Sequence, residues 1–255
     1  MVPFPSINPY LLVNFLNKSI YYPDGLSHIA QGYMDNIRKL DENFRINDFI
    51  PELINKGHEV SILTGQPNYP SGKIFSEYTA NPYLFSKYKG ANIFRLPIIS
   101  RGSNSFKLLL NYLSFIIVWC LLSPWKLRKF QPDVIFVYEP SPVTVGIPAV
   151  YAKTLLKAPV YFWVQDLWPE SLKAAGGVKN IFVLSFFNSL TKWIYNNSRK
   201  VLIQSNGFRE YILNQGIPDD KIIFYPNLTE SLYKPVKEVN EYQKFFQITV
   251  LDSFY

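Results

Sequence analysis

Short apolar runs recur along the chain, each closed by Gly, Pro or a polar pair. They fall at 59–65, 92–96, 133–138, 159–165, 200–204 and 222–225. Most are apolar throughout, the pattern of strands buried on both faces of a parallel sheet. Between them lie segments at helical spacing. Phe44, Ile46, Phe49, Ile50, Leu53 and Ile54 form one such stripe, and Lys56-Gly57 closes it as a C-cap. Further helices are expected at 106–122, 143–156, 181–196 and 208–214. A first strand is expected at 11–16, followed by a strand-end loop at 21–25 and a mixed, helix-prone stretch at 27–40. Five to seven strands alternating with helices define an α/β fold: a doubly wound, mostly parallel sheet with right-handed crossovers.

The pattern changes after residue 227. Residues 228–241 are polar and irregular, and 245–251 begin another strand. The expected plan is an atypical segment over 1–41, a main domain over 42–227, and a linker with the first strand of a second, truncated domain over 228–255. No internal repeat or low-complexity tract is present.

Composition narrows the classes. The chain has 255 residues, 48% hydrophobic and 17% aromatic, enough for a large core. A net charge of +7 suits an anionic membrane surface or a phosphate-bearing substrate. With no Arg-rich arm or RNA-binding aromatic motif, nucleic acid is not the expected partner. The single cysteine, Cys120, sits in an apolar run and reads as a core thiol in a reducing compartment. His28 and His58 have no metal-pair spacing, and no metal is expected. The N-terminus lacks the pattern of a secretory signal. The apolar run at 108–123 is shorter than the roughly 20 residues of a spanning helix and contains Asn111. Trp125, Lys126, Arg128 and Lys129 follow it. Two readings stand: a helix at a headgroup interface, or a core helix whose C-terminal charges suit its dipole.

Candidate chemistry lies at strand ends, because ligands of open α/β sheets bind outside the carboxyl ends of the strands. The run Tyr161-Phe162-Trp163-Val164 delivers Gln165 and Asp166 there, and Leu167-Trp168-Pro169-Glu170-Ser171 follows. Glu139 closes the 133–138 run. The loop 65–73 carries Asn68 and Tyr69 between two glycines and two prolines. Ser205 and Asn206 open a helix, where backbone amides can meet a phosphate or the side chains can simply cap. No G-x-G-x-x-G follows a strand, which excludes the usual nicotinamide-binding loop.

Together, Gly57-His58-Glu59-Val60, Thr64-Gly65-Gln66-Pro67-Asn68-Tyr69-Pro70-Ser71-Gly72, Pro132-Asp133-Val134 and Trp163-Val164-Gln165-Asp166-Leu167-Trp168-Pro169-Glu170-Ser171 resemble family 4 glycosyltransferases. The nearest subgroup is the O-antigen and capsule amino-sugar (fucosamine-type) transferases, and the resemblance covers roughly residues 42–235. It implies a Rossmann-like sheet with helices on both faces, the acceptor-binding N-terminal half of a GT-B enzyme. Transfer would be metal-independent and retaining, from a nucleotide-sugar held by the missing C-terminal domain or a partner chain. The acceptor would be a lipid-linked saccharide at the cytoplasmic face of the membrane. By motif, Glu42, Asn43 and Arg45 would sit near acceptor and donor phosphates, where an Arg fork matches a phosphate. Asn68 and Tyr69 would line the acceptor side. Asp166 would orient an acceptor hydroxyl or support oxocarbenium-like charge, with Gln165, Glu139 and Glu170 beside it. Many relatives carry His where Gln165 stands, and an amide cannot act as a base.

Departures matter. Tyr21-Tyr22-Pro23-Asp24 looks like a remnant of the family's opening loop, but some seventeen residues separate it from Glu42. Glu230 and Glu238 have the spacing of a donor-gripping pair, yet they lie in the proline-containing linker. Two other classes therefore stay open: a folded but inert fragment, and a membrane-associated binding module built on the 108–129 segment.

Overall fold

The computed structural model describes residues 10–14, 44–68, 72–102, 105–127, 132–139 and 141–227. The expectations for 15–43, Tyr69 and the segment after 227 lie outside these residues, as do Arg128 and Lys129.

Among the described residues, eight strands form one sheet in the order β3-β4-β2-β1-β5-β6-β7-β8. They are β1 (Tyr10–Asn14), β2 (Val60–Gly65), β3 (Lys87–Tyr88), β4 (Ala91–Leu96), β5 (Val134–Glu139), β6 (Val160–Val164), β7 (Lys200–Ile203) and β8 (Ile222–Phe224). All pair in parallel except β3, which runs antiparallel to β4. The helices are α1 (Phe44–Asn55), α2 (Ser76–Ala80), α3 (Ser105–Leu127), α4 (Gly146–Leu156), α5 (Glu170–Gly176), α6 (Ile181–Asn197) and α7 (Gly207–Asn214). The fold is α/β, with helices on both faces of the sheet.

Strands β5, β6 and β7 are largely apolar because both of their faces are covered. Alternate residues serve two cores. Ile135, Val137, Val160, Phe162, Val164, Val201 and Ile203 pack under α3, α4, α6 and α7. Phe136, Tyr138, Trp163 and Leu202 pack under Phe49, Ile50 and Leu53 of α1. Trp163 centres the second core, with its ring centroid 5.2–6.4 Å from those of Tyr225, Tyr138, Phe136 and Phe49. Its indole N–H donates to the Tyr225 carbonyl at 3.1 Å, so this large ring buries without an orphaned donor.

Several details differ from the sequence expectation. The β3–β4 hairpin went unread because its turn is Lys89-Gly90, both at positive φ (44° and 96°), instead of an Asn-Gly pair. The 143–156 helix begins with a tight turn over Val143–Val145 before α4 proper. Gly146 lets α4 approach α6 closely. A Cβ added there would lie 2.5 Å from the Ile194 side chain. Cys120 is partly exposed, not a core thiol. Helix α3 runs 23 residues, and its Phe106–Pro124 stretch is, by length and composition, long enough to cross a membrane. Asn111, which interrupts the apolar run, is buried and donates to the Ile99 carbonyl, fixing the loop that enters the helix.

Candidate functional site

Parallel register aligns the carboxyl ends of β5, β6 and β7. Glu139 pairs with Val164, and Val164 with Ile203. The next residues out therefore stand side by side. The Gln165 N–H donates to the Glu139 carbonyl at 3.1 Å. Gln204 Nε2 donates to the Gln165 carbonyl at 2.7 Å. Asn227 Nδ2 donates to Gln204 Oε1. The result is a polar stair across four strands, ending where β8 hands the chain on.

Asp166 occupies the open step of that stair and is half-buried. Behind it Glu139 is fully buried, and neither carboxylate oxygen closes a well-formed hydrogen bond among the described residues. Burial, and secondly the Asp166 charge, push the Glu139 carboxyl well above the usual carboxylate range. The backbone N–H groups of Asp166 and Gln165 pull the other way but less strongly. Glu139 is thus the inner carboxyl, biased toward its neutral form, and Asp166 the outer, half-exposed one. Two carboxyls whose environments separate their protonation are a common basis of acid–base division of labour. The buried Tyr195 hydroxyl also has no hydrogen-bond partner among the described residues. Burial first, and then Glu139, raise its pKa well above normal. The Gln165 Nε2 is buried and unpartnered as well.

The other predicted residues divide. Asn68 is fully buried; its Nδ2 donates to the Gln66 carbonyl at 2.9 Å and its Oδ1 accepts from the Arg101 N–H at 3.3 Å. It ties the loop after β2 to the segment entering α3. Glu170 opens α5, pairs with Lys173 at 2.7 Å, and accepts from the Tyr211 hydroxyl at 3.4 Å. Burial, with Glu170 second, pushes that phenol up to about 12. Ser205 and Asn206 are exposed, and the Ser205 hydroxyl accepts the Gly207 N–H at 3.2 Å, an ordinary local cap. Arg45 lies in the first turn of α1, in the helix that covers the Trp163 core. Glu42, Asn43 and Tyr69 lie outside the described residues. Gln204 and Tyr195 were not foreseen. Gln204 was findable, since it follows β7 as Gln165 follows β6. Tyr195 gave no signal beyond an aromatic on a helix. Among the described residues no three His, Cys, Asp or Glu side chains gather as a metal site.

A doubly wound α/β sheet with polar side chains along its carboxyl rim is the class of protein this geometry defines. Residues 43–227 match the model of the Glycosyl transferase 4-like domain, and the chain belongs to that family. WcaI of Escherichia coli (strain K12), named as a colanic acid biosynthesis glycosyl transferase, is 24% identical over 188 residues, 72% of this chain and 45% of its own length. Among solved structures, Anabaena Alr3699/HepE in complex with UDP-glucose aligns over 95% of this chain and 50% of its own, at 9% identity and a TM-score of 0.48. A glycosyltransferase from Rickettsia africae aligns over 86% and 42%, at 15% identity and a TM-score of 0.42. The chain spans about half the length of the relatives it matches.

Proposed function

We propose that this chain is the acceptor-side domain of a GT-B glycosyltransferase that assembles a bacterial surface polysaccharide such as O-antigen or capsule. The donor is a nucleotide-sugar held by a facing domain, and the acceptor is a lipid-linked saccharide at the cytoplasmic face of the membrane. The motif subgroup points to an amino sugar of the fucosamine type. Membership of the glycosyl transferase 4-like family, with a half-buried Asp166 at the open carboxyl rim, carries this reading. In the transfer step the bond from the anomeric carbon to the diphosphate breaks, and the nucleoside diphosphate leaves with the electron pair. The acceptor oxygen bonds to the anomeric carbon, and its proton passes to an oxygen of the departing diphosphate. Asp166 orients that hydroxyl and faces the positive charge that develops at the sugar. Gln165, an amide, positions but does not take the proton. Burial behind them biases Glu139 toward its neutral form, which lessens the negative charge beside Asp166. The reaction is metal-independent and retains anomeric configuration.

The test is transfer from nucleotide-sugars to a polyprenyl-linked saccharide, by the chain together with a donor-domain polypeptide. Asp166→Asn lowers turnover by about 100-fold or more, with the melting profile unchanged. Near-normal turnover in that variant removes Asp166 from the mechanism.

A further inference from the structure

The helical layer over the first core has an unusual surface. Helix α3 packs on α4, and α4 on α6. These three helices contain 23, 11 and 17 residues, and not one is Asp or Glu. Their cations are Lys107, Lys126, Lys153 and Lys192. The surrounding chain repeats the bias. Between Glu77 and Asp133 there are eight Lys or Arg and no acid, and between Glu170 and Glu210 six and none. Helices that only face water normally mix both signs.

The layer also leaves apolar side chains uncovered. On α3, Asn111, Phe115, Trp119 and Ser123, four residues apart, are fully buried. The opposite stripe at the same spacing is open, with Leu109 52%, Leu113 44%, Ile117 56% and Leu121 70% exposed. One face of α3 is committed to the protein core, so the helix cannot be surrounded by lipid; the other face is free to lie against it. The aromatic-rich helix α6 buries only its C-terminal half. Its first turns expose Ile181 73%, Phe182 82% and Phe186 62%. Single exposed apolar residues are ordinary, whereas a continuous set of this kind marks an interaction surface.

Topology gives the surface a direction. Helices α3 and α6 each connect parallel strands, so both start at the carboxyl edge of the sheet. The α6 tip therefore stands at the same rim as Asp166, with Lys179 just before it.

We infer that the outer face of α3, α4 and α6 docks flat on an anionic lipid bilayer, with Ile181, Phe182 and Phe186 as an insertion tip beside the Asp166 rim. This deepens the reading of a lipid-linked acceptor, since the tip brings the rim to the depth where such a headgroup lies. The occupant is lipid because an acid-free cationic surface repels a second copy of itself and attracts phosphate headgroups.

The test partitions the 255-residue protein onto phosphatidylcholine vesicles with and without phosphatidylglycerol, needing neither donor nor acceptor. Wild type binds the anionic vesicles and is released by salt. Replacing Ile181, Phe182 and Phe186 by Ser weakens binding about tenfold or more, with the circular dichroism spectrum and melting profile retained. A second variant, Leu109→Ser with Leu113→Ser and Ile117→Ser, weakens it through the other half of the face. No binding by wild type, or binding by both folded variants as tight as that of wild type, overturns the inference. So does a lipid-free dimer of the wild type that the tip variant dissociates, since the face would then be a self-interface. Transfer activity can fail with vesicle binding intact, so the two readings fall separately.

Discussion

Replacing Glu139 with Gln provides a test of the buried carboxyl that needs no substrate. Glu139 is fully buried, and its folded-state pKa is raised, by burial first and Asp166 second. In the unfolded chain a glutamate titrates near about 4.3. Below that, both states hold the proton and the pH dependence vanishes. Above it, the unfolded state releases the proton and the folded state keeps it, so stability falls as pH rises, until the folded-state pKa is passed. The slope reaches about 1.4 kcal/mol per pH unit for one proton. Glutamine cannot titrate. Above about pH 4.3 the variant should therefore gain on wild type as the pH rises, at up to about 1.4 kcal/mol per pH unit, until the folded-state pKa is passed. A constant offset from the new amide is irrelevant; only the slope carries information. Urea melts followed by far-ultraviolet circular dichroism at closely spaced pH values give it directly. In an Asp166→Asn background the second cause is gone, so the difference should level off at lower pH. Parallel stability curves for wild type and Glu139→Gln across this window would refute the reasoning, because they require Glu139 to ionise in place as it does in water.

Two further outcomes follow from packing and charge. Gly146→Val puts side-chain atoms where Ile194 already stands, 2.5 Å from the new Cβ, and should cost about 1–3 kcal/mol of stability in the same melts; an unchanged midpoint would show that α4 and α6 separate freely. Changing Lys126, Arg128 and Lys129 together to Gln should weaken binding to anionic vesicles and flatten its salt dependence, while binding to neutral vesicles stays as it was.

The sheet was largely legible because burial on both faces forces near-continuous apolar runs, and seven of the eight strands lie in such runs. The pieces that escaped are short. Strand β3 has two residues, α2 five and α5 seven, too few for periodicity to rise above composition. The rim was legible in part. Glu139, Gln165 and Asp166 could be placed by the rule that ligands meet strands at their carboxyl ends, and parallel register then brings them together. Tyr195 could not, because its hydroxyl reaches the rim from a helix whose sequence says only that it is apolar. Nor could the exposure of Phe182 and Phe186. Hydrophobic spacing reports which residues avoid water in general, not whether the protein itself supplies the cover.

Strand β1 has a consequence for synthesis. It lies between β2 and β5, joining the two halves of the sheet, with Tyr10 paired to both Val60 and Val134. A ribosome adding about 5–20 residues per second makes residue 134 roughly 6–25 s after residue 10. Throughout that interval the earliest strand has one flank unpaired and β2–β4 present an open edge, the template on which nascent chains stick to one another. The seam of the sheet waits until β5 reaches its first-made strand, so crowding, chaperone supply and translation speed over residues 65–134 should govern how much of this protein survives to fold.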